Sequence, residues 1–464
     1  MVQEIVREIK GPSRRAGIWL AAALTFFALG GTLDADPKIE VGEPVAVSGE
    51  RTEIPQVEPS LAAHPEKPGL LFGAAVTFPD FRKGLDVTTV AGFRSADGGR
   101  SWQSVPFPAC RIDPWVSFGS GDRVYLSCMG GRQSPLIVYR SADAGRTWSG
   151  PVRVTALEGV DRPVVSAVHK AGSPEDSVLV AFGQSSPAPG LRNRTYGAAV
   201  SRSDDGGRTF SGPVAVRHDA LTQQPFDAAV LSSGVYVLFF MDYATRDGGE
   251  LLAHRRTWAV RSEDGGRTFS TPVLVFEQLG REMPWAVAVD RSTRHRDRLY
   301  LAVDGSWQRR GTGPPAPGKG LFLLISDDGG ESWRTAGTVT DAPAGANAET
   351  PAIAVNREGV VGVAWYDTRR DPTESCYDLY FSASLDGGAT FLPNERVTPV
   401  SSCPQTSPQQ QGVASRWSFG GDYSGLAADA DGKFHILWAD SRSGIYRLWT
   451  ADVRVNLSPR PVVH

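Results

Sequence analysis

One eight-residue pattern recurs six times and constrains the fold more than any other feature of the chain. It reads Ser-x-Asp-x-Gly-x-Ser/Thr-Trp/Phe. The copies are SADGGRSW (Ser95 to Trp102), SADAGRTW (Ser141 to Trp148), SDDGGRTF (Ser203 to Phe210), SEDGGRTF (Ser262 to Phe269), SDDGGESW (Ser326 to Trp333) and SLDGGATF (Ser384 to Phe391). Their aspartates are Asp97, Asp143, Asp205, Asp264, Asp328 and Asp386, spaced by 46, 62, 59, 64 and 58 residues. Self-similarity at such a period marks a repeat architecture, and the four-stranded blade of a β-propeller fits it.

The pattern describes a hairpin turn. A short carboxylate accepts hydrogen bonds from turn N–H groups. Gly adopts a backbone conformation that costs other residues energy. The aromatic then opens the outgoing strand and buries a large area. The second copy has Ala144 in place of the first Gly but keeps Gly145, which singles out the second Gly as the one the turn needs. The six aspartates are thus read as turn residues and not as catalytic acids.

A second repeat precedes each turn. An acidic or polar residue, usually followed by Pro, opens a strand at Glu58-Pro59, Asp113-Pro114, Asp161-Arg162-Pro163, Gln224-Pro225, Glu282-Met283-Pro284 and Glu349-Thr350-Pro351, and a seventh start lies at Asp422-Tyr423. Seven inner-strand starts against six turns predict an all-β propeller of seven four-stranded blades, with six blades as the alternative. The last unit lacks an outer strand. Glu43-Pro44-Val45-Ala46-Val47 resembles the outer strand Gly212-Pro213-Val214-Ala215-Val216. Pairing this N-terminal segment with the last blade closes the ring and leaves no free sheet edge. The predicted organisation is a targeting segment over 1–36 and one propeller domain over 37–464.

The targeting reading rests on Arg7, Lys10, Arg14 and Arg15 ahead of an apolar run from Ala16 to Gly31, with Ala28-Leu29-Gly30 as a small-residue cleavage site. A retained N-terminal anchor is the alternative, and it is the one membrane attachment expected. The chain is therefore read as exported: secreted, periplasmic or held at the outer face of a membrane. Four cysteines in an exported chain imply disulfides. The blade map brings Cys110 near Cys128 and Cys376 near Cys403, which predicts those two bonds. No cysteine or histidine spacing fits a metal site, so no metal or cofactor is expected. The net charge of −3, with no basic tract beyond the N-terminus, argues against a nucleic-acid partner. A monomer is expected.

All six turns lie between third and fourth strands and so share one side of the disk. The opposite face collects Glu58, Asp113, Asp161, Glu282, Glu349 and Asp422 from the strand starts, with Arg82, Arg309, Arg310, Asp367, Arg369, Arg370 and Arg442 from other loops. Such charges either cap loops and pair with one another or line a ligand site around the central channel.

The repeated turns resemble the Asp-box (BNR) repeats of the sialidase family, and the pieces ETPAIAV, VAWYDTRRD and GDYSGLAAD are similar to bacterial sialidase-family proteins of unassigned activity. That resemblance implies a retaining glycoside hydrolase with three arginines on the substrate carboxylate, a tyrosine nucleophile paired with a glutamate, and an aspartate acid/base. Tyr423-Ser424-Gly425-Leu426 is similar to the family's nucleophile segment, which makes Tyr423 the nucleophile and Glu282 its partner. Arg111, in Arg111-Ile112-Asp113-Pro114, together with Arg309 or Arg310 and Arg369 or Arg370, takes the carboxylate-binding roles. No aspartate stands in the loop around Met129 to Ser134, so Asp80 or Asp86 has to serve as the acid. The resemblance thus implies an exported sialidase-like hydrolase of terminal acidic sugars, with a glycan or glycoconjugate as ligand. A non-catalytic propeller that binds a glycan or protein on the same face, or an assembly factor, is the alternative.

Overall fold

The computed structural model describes residues 37–457 apart from 50–53, 81–82, 84–86, 131–134, 170–171, 187–194, 218–221, 246–250, 280–283, 306–319, 344–345, 372, 374, 405–412 and 414–416. The targeting segment, Glu282, Arg309, Arg310 and Asp86 lie outside the described residues. Seven antiparallel sheets succeed one another along the chain, six of them four-stranded. Blades 1 to 6 begin with the inner strands Gln56–Ala63, Ile112–Phe118, Val160–Val168, Thr222–Val230, Pro284–Val289 and Ala348–Val355. Blade 7 contributes Gly425–Ala428, Phe434–Asp440 and Arg447–Asn456. Its outer position is filled from the other end of the chain, as the sequence predicts: Val45 pairs with Thr450 and Ala46 with Trp449. The closure runs further than the sequence reading placed it, because Lys38–Val41 also pairs with the end of Arg447–Asn456.

The core lies between blades. Second strands such as Leu71–Thr77, Val124–Met129, Val361–Asp367 and Phe434–Asp440 are buried at every position. Both of their faces pack on neighbouring sheets, so they read as continuous apolar runs and not as alternation. Both predicted disulfides form: Cys110–Cys128 with Cα atoms 5.6 Å apart and Cys376–Cys403 with Cα atoms 4.2 Å apart. Two intact bonds fit an oxidising compartment.

All six repeated turns close in the same way. The Ser hydroxyl donates to one aspartate oxygen at 2.7–2.9 Å. The N–H of the closing Ser or Thr reaches that oxygen at 2.8–3.0 Å. The closing hydroxyl donates to the other oxygen at 2.5–2.7 Å. The N–H of the second Gly caps the first Ser hydroxyl at 2.8–2.9 Å. Both central positions are left-handed: the second Gly has φ of 81–98°, and Ala144 itself has φ 57°. Neither handedness nor space separates the two positions throughout: first-position Gly206, Gly329 and Gly387 would place a β-carbon 2.5–2.9 Å from a neighbouring side chain, and at the second position Gly145 and Gly266 come as close. A β-carbon on Gly145 would sit 2.6 Å from Phe72 of blade 1, and one on Gly266 would sit 2.4 Å from Leu179 of blade 3. A β-carbon on Gly98, at the first position, would meet nothing closer than 3.8 Å.

The second Gly is also the contact between blades. Gly207 lies against Tyr125 of blade 2, Gly330 against Val237 of blade 4 and Gly388 against Tyr300 of blade 5, each on the blade before its own. Gly99 of blade 1 lies against Thr450 of blade 7, across the joint of the ring.

Two outcomes test this account. Burial alone would raise the turn aspartates, but the Ser and Thr hydroxyls and the backbone N–H groups override it and hold Asp143, Asp205 and Asp328 at about 2. A carboxyl held below its unfolded value of about 3.9 stabilises the fold above that pH, and the gain is lost as pH falls toward about 2. Urea midpoints should therefore drop over that interval. Asp205→Ala should cost about 1–2 kcal/mol at neutral pH and flatten that slope. Conversely, Ala144→Gly should stabilise by about 1 kcal/mol, since it relieves a left-handed non-glycine residue. A lower melting temperature for Ala144→Gly would mean that the strain is absent.

Candidate active site

The inner strands do not run straight to the channel. In six of the seven blades they carry one extra residue relative to the second strand, at Val57/Ser60, Ile112/Trp115, Asp161/Val164, Pro225/Asp227, Pro284/Ala286 and Glu349/Ala352. Such a bulge bends a strand and re-aims its side chains. Four of the bulges hold a non-glycine residue in the left-handed region immediately before Pro: Glu58 (φ 54°), Asp113 (φ 53°), Arg162 (φ 49°) and Thr350 (φ 50°). That conformation costs of order 1–2 kcal/mol per residue. It persists because the sheet on one side and the proline on the other over-determine it.

The bulges of blades 1, 2 and 3 gather around the chain entering blade 7. Arg162 donates to Asp422 at 2.5 Å. Gln224 of blade 4 donates to Asp161 at 2.6 Å. The Trp115 and Tyr423 rings meet edge to face with centroids 5.7 Å apart. Gly421 (φ 136°) lets the loop lie on Glu58, since a β-carbon there would fall 2.8 Å from the Glu58 nitrogen. Trp417, packed on Phe78 with ring centroids 5.3 Å apart, lies beside Glu58. Blades 1, 2, 3, 4 and 7 thus build one cluster from Glu58, Asp113, Asp161, Arg162, Gln224, Asp422 and Tyr423.

Its electrostatics follow from burial and crowding. Glu58 is 4% exposed. Burial, then Asp113 and Asp422, push its carboxyl well above the usual carboxylate range, against the pull of Arg162. Burial also raises Asp161, opposed by Arg162 and assisted by Asp422. Burial alone would lower the Arg162 guanidinium, but Asp422, Asp161, Asp113 and Glu58 outweigh it and hold the charge firmly. Burial, then Glu58 and Asp113, push the Tyr423 phenol well above its ordinary value. The Tyr423 hydroxyl is buried and has no hydrogen-bond partner among the described residues.

Two spaces adjoin this cluster. A small pocket of about 20 Å³ is lined by Asp113, Trp115, Arg162, Val164, Phe226 and Tyr423. A chamber of about 170 Å³ continues from Tyr423 between inner strands of several blades, with Asp227 in its wall. Burial raises Asp227 to about 7, although the Val287 and Ala228 N–H groups, each at 2.8 Å, oppose the shift.

The arginines expected from sequence have other partners. Arg111 donates to the Thr88 carbonyl at 3.1 Å. Arg369 pairs with Asp367 at 2.8 Å and Asp341 at 2.7 Å and lies over Tyr380. Blade 7 repeats this arrangement. Asp440 accepts from Trp438 and Arg442, as Asp367 accepts from Trp365 and Arg369. A contact that recurs in two blades is explained by blade architecture. Asp80 lies within 3.9 Å of Lys83. Among the described residues, the arginine set against Tyr423 is Arg162, which the sequence reading passed over. The signal was present: Arg162 stands before Pro163 as Glu58 stands before Pro59 and Asp113 before Pro114.

No family model matches the chain. Among solved structures it is similar to a protein of unknown function from Dyadobacter fermentans, at 14% identity over 90% of this chain and 99% of that one, with a TM-score of 0.49. It is similar to a Hadza microbial sialidase at 15% identity, over 82% of this chain and 76% of that one, with a TM-score of 0.44. An α-L-arabinofuranosidase from Fusarium graminearum matches at 14% identity, over 90% of this chain and 98% of that one, with a TM-score of 0.41.

Proposed function

We propose that the chain is a glycoside hydrolase-like propeller whose active site is the cluster around Tyr423, with Glu58 as the proton donor. The observation that carries this reading is a buried carboxyl whose proton affinity is raised by burial and by neighbouring carboxylates. Glycoside cleavage needs an acid that still carries its proton near neutral pH and a negative field for the oxocarbenium-like transition state. Glu58 supplies the first, and Asp113 and Asp422 the second. Tyr423 keeps its proton among these carboxylates and acts as a hydrogen-bond donor to the sugar, in place of the nucleophile role that the resemblance implies. The charge balance also favours a neutral or amino sugar over an acidic one. Among the described residues, a substrate carboxylate would meet Asp113, Asp161 and Asp422 against the Arg162 guanidinium, itself paired to Asp422.

A panel of aryl glycosides tests the reading. Neutral or amino glycosides should turn over and a sialoside should not. Glu58→Gln should lower kcat by about 10²–10⁴ in a folded protein. Activity should decline as pH rises through the raised value of Glu58, because the acid form is the working one. Tyr423→Phe should cost about tenfold, the loss of one hydrogen bond. Abolition of sialoside turnover by Tyr423→Phe would restore the nucleophile role. No turnover of any glycoside by the wild type would leave a glycan-binding propeller.

A further inference from the structure

We infer that the loop 290–298 of blade 5, on the face opposite Tyr423, is a docking strip for a polyanionic polysaccharide that carries sulfate or carboxylate groups. The loop reads DRSTRHRDR. Four arginines against two aspartates leave it at net +2 with His295 neutral, in a chain whose net charge is −3. It joins Pro284–Val289 to Leu299–Gly305, the first and second strands of the blade, and so shares a face with the repeated turns. Blade architecture does not require it. Blades 4, 6 and 7 make the same connection over 231–235, 356–360 and 429–433, with no cation, Arg357 alone and Lys433 alone. Blade 5 keeps the closing bond, from the Asp290 N–H to the Arg298 carbonyl at 2.9 Å, and places four more residues inside it.

The cations of this loop are positioned but not neutralised. Arg291 donates to the Val230 carbonyl at 2.7 Å and Arg296 to the Ser232 hydroxyl at 3.1 Å, both on blade 4. Arg294 donates to the Leu385 carbonyl of blade 6 at 3.1 Å. All three are exposed, and among the described residues none forms an ion pair. The acids around them are engaged elsewhere. Asp327 is shared by Arg298 at 2.6 Å and Arg334 at 3.1 Å, Glu358 holds Arg357 at 3.1 Å, and Glu331 holds Arg261. Asp290 is fully buried, and Asp297 accepts the Ser232 N–H at 2.7 Å. Anchored on blade 4 at one end and blade 6 at the other, the guanidinium groups form a line across blade 5. A line of fixed charges suits a linear ligand with repeated anionic groups, and the guanidinium fork matches sulfate and carboxylate. The loop holds no aromatic side chain on which a base could stack. The large apolar side chains exposed among the described residues, Leu274, Val400 and Leu457, lie outside it, so nothing in the loop would enter a bilayer.

Titration of the full chain with a heparin oligosaccharide tests the assignment, and its outcome does not depend on whether the Tyr423 cluster is catalytic. Heparin should bind, uncharged dextran should not, and raising the salt from about 50 to about 200 mM should weaken binding severalfold, as screening of exposed charges requires. The double variant Arg294→Gln, Arg296→Gln should bind heparin at least about tenfold more weakly, the loss of charge-assisted contacts. The control is Arg208→Gln, Arg267→Gln. These half-exposed arginines belong to the same face but pair with Glu175 and Asp204, so their loss should leave binding near the wild-type value. Urea midpoints verify that both variants fold. Absence of heparin binding by the wild type, or equal losses in the two double variants, would overturn the inference. Tighter binding to a DNA duplex or to phosphatidylglycerol vesicles than to heparin would also overturn it.

Discussion

A ring of sheets closes only if every blade approaches its neighbour to the same depth, and here that depth is set by a missing side chain. The second Gly of each repeated turn rests on a buried residue of the preceding blade, as Gly145 does on Phe72 and Gly388 on Tyr300. At Gly145 and Gly266 a β-carbon would fall 2.6 and 2.4 Å from the neighbouring blade, while at Gly99, Gly207, Gly330 and Gly388 the nearest atom would lie 3.3–3.5 Å away. The aspartate holds that glycine in place, because its two oxygens tie both ends of the turn together. The carboxylate and the glycine are thus one device: the first shapes the turn, and the second lets it dock. Blade 7 has no such turn. It meets blade 6 through Asn356, which donates to the Gly432 carbonyl at 2.9 Å, and its open side receives the N-terminal strands.

With the blades locked from one face, the inner strands can bear strain at the other. Their bulges place Glu58, Asp113, Arg162 and Thr350 in a conformation that a free strand would abandon. Proline after each of them restricts the backbone and removes a donor that the displaced strand could not satisfy. The bulge turns side chains that would otherwise follow the pleat toward the channel instead. Strain of this kind is tolerated where the surrounding structure fixes it, and it clusters at functional sites.

The fold was legible because its signals are local. A turn of eight residues carries its own hydrogen bonds, and Glu43 to Val47 shares its pattern with an outer strand. The disulfides followed from the blade map. The continuation of the closure to Lys38 was not legible, since four residues without turn chemistry carry no register of their own. The site was half legible. The acids at the strand starts were visible, and Glu58, Asp113, Asp161 and Asp422 do meet. Arg162 was overlooked because the start of blade 3 was aligned on Asp161, one residue before the position that faces Tyr423. Arg369 misled for the opposite reason. Its loop resembles a functional motif, yet Trp365, Asp367 and Arg369 form a brace that Trp438, Asp440 and Arg442 repeat.

Why an arginine stands at one of the bulges follows from the cost of crowding acids. Carboxylates brought together out of water cannot all ionise, and each proton retained is a charge lost. Arg162 pairs with Asp422 directly and opposes the rise of Asp161 through proximity. Glu58 is the member left with burial and two like charges, and these push its carboxyl well above the usual range. The same set of side chains thus holds acids that differ in how strongly their surroundings favour the proton. Exchanging the roles, with Arg162 in blade 1 and Glu58 in blade 3, would leave the carboxyl beside Asp161 and away from Trp417. Position on the ring decides which acid burial and like charges raise most, so the bulge geometry and the charge pattern form a single constraint.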